Sequence, residues 1–304
     1  IGAQCDIINL STIMHRAARS TTLTPDNIRY VSEQLSNCDA GRFDPQAIGN
    51  LCYGISAQIM DDMCSERVSA ISELMNNITT GLTACRLKFG SQELGNMLYG
   101  LQRISLRSRD GVVVNQTLLT STKGLLTALA DKLNRDGGLK TPLTGQAVGN
   151  ALYGLQGVSD SVVPEVRKVI SCLLPLVRHG LSENKLSAQE MANGLYGLQS
   201  QSSYDDVREI IGELVRAGSS SGVQMAPREI SMSLFGLQEQ RDDYQQIVSA
   251  FEFLLRQTAN TTANSNDASS WDSQGIANSL FGFRSSRIGR CQPAKSLISN
   301  LTTI

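Results

Sequence analysis

Gln146-Ala-Val-Gly-Asn-Ala-Leu-Tyr-Gly-Leu155 decides the fold, because the chain repeats it. Related decapeptides are Gln46-Ala-Ile-Gly-Asn-Leu-Cys-Tyr-Gly-Ile55, QELGNMLYGL ending at Leu101, QEMANGLYGL ending at Leu198, REISMSLFGL ending at Leu237 and QGIANSLFGF ending at Phe283. Their shared glycines fall at 54, 100, 154, 197, 236 and 282, so successive differences are 46, 54, 43, 39 and 46 residues. A worn copy, Asp6-Ile-Ile-Asn-Leu-Ser-Thr-Ile-Met14, fits one step earlier with Asn9 in register. Matches at this period are the signature of a two-helix repeat with loops of variable length.

Within each copy the apolar residues recur at i, i+4 and i+7, as in Val148, Leu152, Leu155, in Met191, Leu195, Leu198 and in Ile276, Leu280, Phe283. That spacing marks one face of a helix, here helix A. Asp44, Thr144, Ser187 and Asp272 stand where an N-cap is needed, and Pro45 and Pro227 take the first helical position. A second amphipathic stretch, helix B, follows. Its apolar faces are Val166, Val169, Ile170, Leu173, Val177, then Val207, Ile210, Ile211, Leu214, Val215, then Ile247, Phe251, Leu254, Leu255. The acidic pair Asp205-Asp206 suits the start of the second of these. Gly180 and Gly218 read as helix stops, and Pro175 predicts a kinked or shortened helix. Polar loops are expected at 134–138, 218–222 and 259–270. One such hairpin cannot bury its own stripe, so neighbours must stack.

The expected fold is therefore all-α: an α-solenoid of about seven stacked two-helix repeats in a right-handed superhelix, without strands. Residues 1–304 read as a single solenoid. Its repeats fall at approximately 5–43 (degenerate), 44–89, 90–143, 144–186, 187–225, 226–271 and 272–304, and the last lacks an obvious polar cap.

On a helical wheel the recurring Asn50, Asn96, Asn150, Asn193 and Asn278 point away from the apolar stripe. Gln46, Gln92, Gln146, Gln189 and Gln274 lie close beside them, and the recurring glycine falls on the same side. Two readings are open. The amides bridge adjacent A helices, which the small residues Gly49, Gly95, Gly149, Ala192 and Ala277 would let approach. Alternatively the row lines an inner groove and meets a ligand. Seven residues after the Asn the side chain varies through Ala57, Arg103, Gly157, Ser200, Glu239 and Ser285. This column is either a reader set in a constant frame or an unconstrained exposed position.

Composition removes several classes. The 304 residues hold 27 Lys plus Arg against 28 Asp plus Glu, a formal charge of −1, which disfavours a uniformly basic nucleic-acid binder. Hydrophobic residues at 41% suffice for a core, and no apolar run reaches the roughly 18 residues of a membrane span. Aromatics are 5%, with one Trp271, so no base-stacking platform stands out. Seven cysteines without a CxxC pair give no zinc or redox motif, and Cys52 and Cys172 fall at apolar helical positions, as in a reducing compartment. Sequons at Asn9, Asn77, Asn115, Asn260 and Asn300 are no more than such a composition gives by chance. The chain begins with Ile and no signal or transit peptide is visible, as expected of a processed or partial product whose address tag lies out of view.

The decapeptides resemble the A helices of octotricopeptide-repeat proteins, whose pattern P-Q-x-L-A-N-x-L-W-A-L is matched by Pro45-Gln46 through Ile55 and by Gln274 to Phe283. Related helix pairs occur in FAST-kinase-like and RAP proteins. The resemblance covers nearly the whole chain through about ten residues per repeat. It implies binding of single-stranded RNA inside a mitochondrion or plastid. Tyr-Gly or Phe-Gly replaces Trp-Ala here, the repeats are longer and more uneven, and no nuclease-like RAP segment is visible, so no catalytic residues carry over.

Neither His15 nor His179 belongs to a catalytic or metal motif, and Asp61-Asp62 and Asp242-Asp243 fit turns. No enzyme, cofactor, metal, membrane insertion or small-molecule substrate is expected. The leading function is binding single-stranded organellar RNA in the A-helix groove. The competing one is a scaffold subunit of a large organellar complex such as a ribosome, respiratory or photosynthetic assembly. Candidate binding residues are the Gln/Asn row above, the column residues Arg103, Ser200 and Glu239, and the basic residues Arg107, Arg284 and Arg287. Further clusters are Arg16 with Arg19, Arg109 beside Arg107, and Arg290 beside Arg287. An RNA reader should gather arginines along the groove and weaken steeply with salt.

Overall fold

The computed structural model describes residues 6–20, 22–60, 63–104, 106, 115–264, 271–286 and 290–302. Among these the chain forms fourteen α-helices, one 3-10 turn at Ala40–Arg42 and no strand. The repeated decapeptides lie on α1 (Ile7–Ser20, the worn copy), α3 (Pro45–Ser56), α5 (Ser91–Tyr99), α7 (Gly145–Tyr153), α9 (Ala188–Gly197), α11 (Pro227–Gly236) and α13 (Ser273–Phe281). Each alternates with a B helix: α2 (Pro25–Ser36), α4 (Ser65–Ala84), α6 (Gln116–Asp136), α8 (Glu165–Glu183), α10 (Asp205–Ser220), α12 (Gln245–Asn264) and α14 (Gln292–Leu301).

Contacts divide the chain into two compact units, Ile1–Pro142 with Gly157–Leu176, and Leu143–Gln156 with Val177–Ile304. In the first, α1, α3 and α5 pack side by side in one row and α2, α4 and α6 in another. In the second, α7, α9, α11 and α13 make one row, while α10, α12 and α14 make the other.

The A helices start where their caps dictate. Asp44 Oδ1 accepts from the Ala47 N–H at 2.7 Å and Thr144 Oγ1 from the Ala147 N–H at 3.1 Å. Ser187 and Glu190 cap reciprocally, each side chain accepting from the other's N–H. Asp272 Oδ1 accepts from the Gly275 N–H at 2.6 Å. These caps satisfy N–H groups that a helix start leaves unpaired. The stripes then bury as spaced: Val148, Leu152, Leu155, Met191, Leu195 and Leu198 are fully buried, as are Val166, Ile170, Ile210 and Leu214 on the B helices. Each such side chain contributes roughly 1.5–3 kcal/mol.

Several expectations are corrected. Gly180 and Gly218 do not stop their helices, since α8 runs to Glu183 and α10 to Ser220. They are packing glycines: a Cβ on Gly180 would lie 2.5 Å from the Leu143 oxygen, and one on Gly218 2.5 Å from Met191 Sδ. Pro175 does not shorten α8; it is exposed, while Leu173 and Val177 beside it stay buried. Helix α6 continues to Asp136 and ends on Gly137, whose φ of 62° is the left-handed turn glycine permits. Helix α12 extends to Asn264 instead of yielding to a loop from 259. It is held there by buried Gln257, which donates to the Val223 oxygen at 3.0 Å and accepts from the Met225 N–H at 2.9 Å. Residues 265–270 of that expected loop, and Asp61-Asp62, lie outside the described residues. Leu280 is not core but 39% exposed, and Cys172 is only half-buried, its thiol 3.4 Å from Asn134 Oδ1.

Of the buried charged residues Arg67, Lys132, Asp160 and Asp242, Lys132 is the most deeply buried. Lys132 on α6 is fully buried, pairs with Asp136 at 2.9 Å and donates to the Leu87 and Cys85 oxygens at 2.8 and 3.1 Å. Its ammonium also lies 5.5 Å from the Phe89 ring centre. It ties the 85–89 strap, which carries no helix of its own, to the B-helix row.

Candidate functional site

The closest approaches between A helices occur at the recurring glycines. These are buried, not on the exposed side with the amides as the wheel suggested. At the A-helix ends Gly100 and Gly282 have φ near −57° (−56° and −57°), a conformation open to any residue, so space and not backbone freedom demands glycine. A Cβ on Gly100 would lie 2.0 Å from the Cys52 oxygen, on Gly197 2.1 Å from that of Leu152, on Gly236 2.2 Å from that of Leu195, and on Gly282 2.1 Å from that of Leu234. Gly49 and Gly149 add a second contact, each 2.9 Å from the carbonyl oxygen of Glu93 or Glu190 by the same measure. At Gly49 and Gly149 the expected close approach at the residue before the Asn is present, and the later glycine of the decapeptide makes the tighter contact.

Helices held this close bring their preceding aromatic residues face to face. Tyr53 and Tyr99 stack with centres 5.5 Å apart and planes 15° apart. In the other unit Tyr153, Tyr196, Phe235 and Phe281 stack in series at 5.7, 5.6 and 5.5 Å. Sequence reasoning missed this ladder because it weighed aromatic content and not aromatic position. The signal was in the decapeptide, where Tyr or Phe precedes every glycine. The rings cover one another, so ring faces within each series are taken up by their neighbours.

The ladder also corrects the register of α1. Gly54 faces the Met14 oxygen, with its Cβ position 2.7 Å away, and His15 lies 5.0 Å from Tyr53, tilted 34°. In every other described pair the glycine meets the residue just before the ring. His15 therefore holds the aromatic position, and Thr12, not Asn9, falls in the amide column. Burial, reinforced by the Arg19 cation, pushes the His15 pKa below the ordinary histidine value.

The amide columns remain on the open wall. Gln46, Gln92, Gln146, Gln189 and Gln274 are exposed, and Asn50, Asn96, Asn150, Asn193 and Asn278 are half-buried. Among the described residues the hydrogen bond within this row is Gln274 Nε2 donating to Asn278 Oδ1 at 2.8 Å, inside one helix. Bridging between copies falls to other glutamines, those just after the decapeptide at Gln156, Gln199 and Gln238 and those two residues further on at Gln201 and Gln240. Gln238 Nε2 donates to the Gln199 oxygen at 3.2 Å, Gln199 Nε2 lies 3.5 Å from Gln156 Oε1, and buried Gln240 Nε2 donates to the Gln201 oxygen at 2.8 Å.

The variable column divides by location. A Cβ on Gly157 would meet the Ile104 oxygen at 2.2 Å, and Ser200 Oγ donates to the Gln156 oxygen at 2.6 Å. Glu239 pairs with Arg284, whose guanidinium lies 5.2 Å from the Phe281 ring centre. These members join neighbouring copies. With the corrected register the column begins at Arg19 and continues through Ala57 to Arg103. Arg19 and Arg103 line a pocket of about 400 Å³ with Tyr53, Tyr99 and Gln102. A second pocket of about 390 Å³ lies along the A-helix row of the second unit, lined by Arg228, Met232, Trp271, Gln274 and Asn278. Arg107, Arg109 and Arg287 lie outside the described residues.

Among the described residues no three of His, Cys, Asp and Glu gather as a metal site, and no helix is long and apolar enough to cross a membrane. No protein-family model matches the chain and no curated protein matches it either.

Proposed function

We propose that the chain is a non-enzymatic α-solenoid of about seven two-helix repeats, wound right-handed, that binds single-stranded RNA inside an organelle. The observation that carries the reading is the open wall of amides. Gln residues at 46, 92, 146, 189 and 274 stay exposed above half-buried Asn residues, although other glutamines already bridge the copies. Amides spare for a ligand can meet base edges or the sugar-phosphate chain. Arg19, Arg103 and Arg228 line pockets on the same helices, which supplies local cations in a chain of net charge −1. Resemblance of the decapeptides to octotricopeptide repeats supports the RNA and the organelle alike.

Filter retention of pooled single-stranded RNA tests this. Binding is expected at about 50 mM salt and should weaken several-fold to tenfold by about 200 mM, as counterion release requires. No retention at the lower salt would overturn the reading. Salt-tolerant assembly with protein subunits in its place would favour the scaffold, which the near-neutral charge permits.

A further inference from the structure

Among the described residues eight arginines form ion pairs with carboxylates. Arg167 pairs with Asp160 at 2.8 Å, Arg216 with Glu213 at 2.7 Å, Arg178 with Glu213 at 2.7 Å, and Arg284 with Glu239. The pocket between α1, α3 and α5 departs from this. Its lining contains two exposed guanidinium groups, Arg19 and Arg103, and no carboxylate. Among the described residues neither arginine makes an ion pair or hydrogen bond. Two like charges facing one concavity repel each other, so the arrangement costs free energy until an anion enters.

The spacing follows from the repeat. Arg19 near the end of α1, Ala57 just past α3 and Arg103 in the turn after α5 occupy one column, each four residues after the rings His15, Tyr53 and Tyr99, whose centres lie 5.0 and 5.5 Å apart. The middle copy has the small Ala57, which leaves a gap between the flanking cations. Gln102 supplies a neutral amide to the pocket, which Tyr53 and Tyr99 also line. In the other unit the same column is taken up by Ser200 and Glu239, whose bonds join neighbouring copies.

We propose that this pocket is a phosphate subsite, in which Arg19 and Arg103 hold backbone phosphates of single-stranded RNA across the gap at Ala57. The proposal rests on the RNA reading above. Guanidinium forks match the oxygens of a phosphate bidentately, and the amide of Gln102 beside them suits its remaining oxygens.

Fluorescence anisotropy with a fluorescein-labelled pool of random-sequence single-stranded RNA tests it on the full chain. Arg19→Gln and Arg103→Gln should each weaken binding several-fold. Each should also reduce the slope of log affinity against log salt by about 0.7, the value for one single-strand phosphate. Arg216→Gln, on α10, should leave both unchanged. Ala57→Leu keeps both charges and fills the gap, so it should weaken binding without a matching change in melting temperature. If the wild-type chain binds RNA and the arginine variants bind it equally with the same slope, the subsite is overturned while the RNA reading stands. If the wild-type chain binds no RNA, both fall. Arginine-dependent binding of uridine monophosphate without binding of the RNA pool would overturn the polymer as its source.

Discussion

Gly197 of α9 abuts the carbonyl oxygen of Leu152 on α7 so closely that a Cβ would sit 2.1 Å from it. Gly197→Ala must push the two helices apart, and over-packing of this kind costs about 3 kcal/mol. The Tyr153–Tyr196 stack at 5.7 Å should loosen with it. Gly124, exposed inside α6 with nothing within 4 Å of its Cβ position, is the contrast: alanine there should stabilise by about 0.5–1 kcal/mol. Thermal unfolding followed by far-UV circular dichroism separates the two, and the near-UV signal reports the rings.

Lys132→Met removes the cation from a buried pair; Asp136 keeps only Arg135 at 3.7 Å, the Cys85 oxygen keeps Arg135 Nη2 at 3.1 Å, and the Leu87 oxygen loses its nitrogen donor. Loss of one partner of a buried ion pair costs about 3–5 kcal/mol. The urea midpoint should fall accordingly. A midpoint equal to that of the wild type would show that the pair contributes nothing net.

Gln240→Leu deprives the buried Gln201 oxygen of the donor 2.8 Å away. Loss of a buried hydrogen bond costs about 0.5–1.5 kcal/mol. Hydrogen exchange should rise first around 199–201 and 238–240, while the first unit keeps its protection.

Cys52 is fully buried, and desolvation pushes its thiol pKa from 9.0 up to about 12. Unfolded, this thiol ionises near pH 9; folded, it keeps its proton until near 12. Its contribution to stability is therefore complete below pH 9 and is lost as pH climbs from 9 to 12. At pH 8 a maleimide should label exposed Cys64 promptly and Cys52 only after denaturant is added. Prompt modification of Cys52 in the native chain would contradict its burial.

Elements carried by local chemistry were legible in the sequence. Asp44, Thr144, Ser187 and Asp272 cap the helices they were assigned, and the stripes from Val148 to Leu214 bury as their spacing requires. Features set by contact between copies were not. Gly180 and Gly218 read as stops because a glycine in a helix looks the same whether it ends the helix or admits a neighbour. The worn α1 copy aligned on Asn9 by residue identity, whereas His15 against Tyr53 fixes it three residues later. For the same reason bridging went to the wrong amides: which Gln meets which depends on the lateral offset of adjacent helices, and Gln199 and Gln238 carry no local mark of it. The amide wall stayed visible because exposure of one helix face is a property of that helix alone.

The docking glycines touch main-chain oxygens, and the side chains behind those oxygens differ: Met14, Cys52, Leu152, Leu195 and Leu234. A joint made to atoms that every amino acid possesses is indifferent to its neighbour's identity. Hairpins joined this way are interchangeable parts, free to be duplicated, deleted or shuffled by recombination while the outward residues diversify. The uneven spacing of 39 to 54 residues between glycines is what such tolerance permits, since connecting loops can lengthen without disturbing the joint.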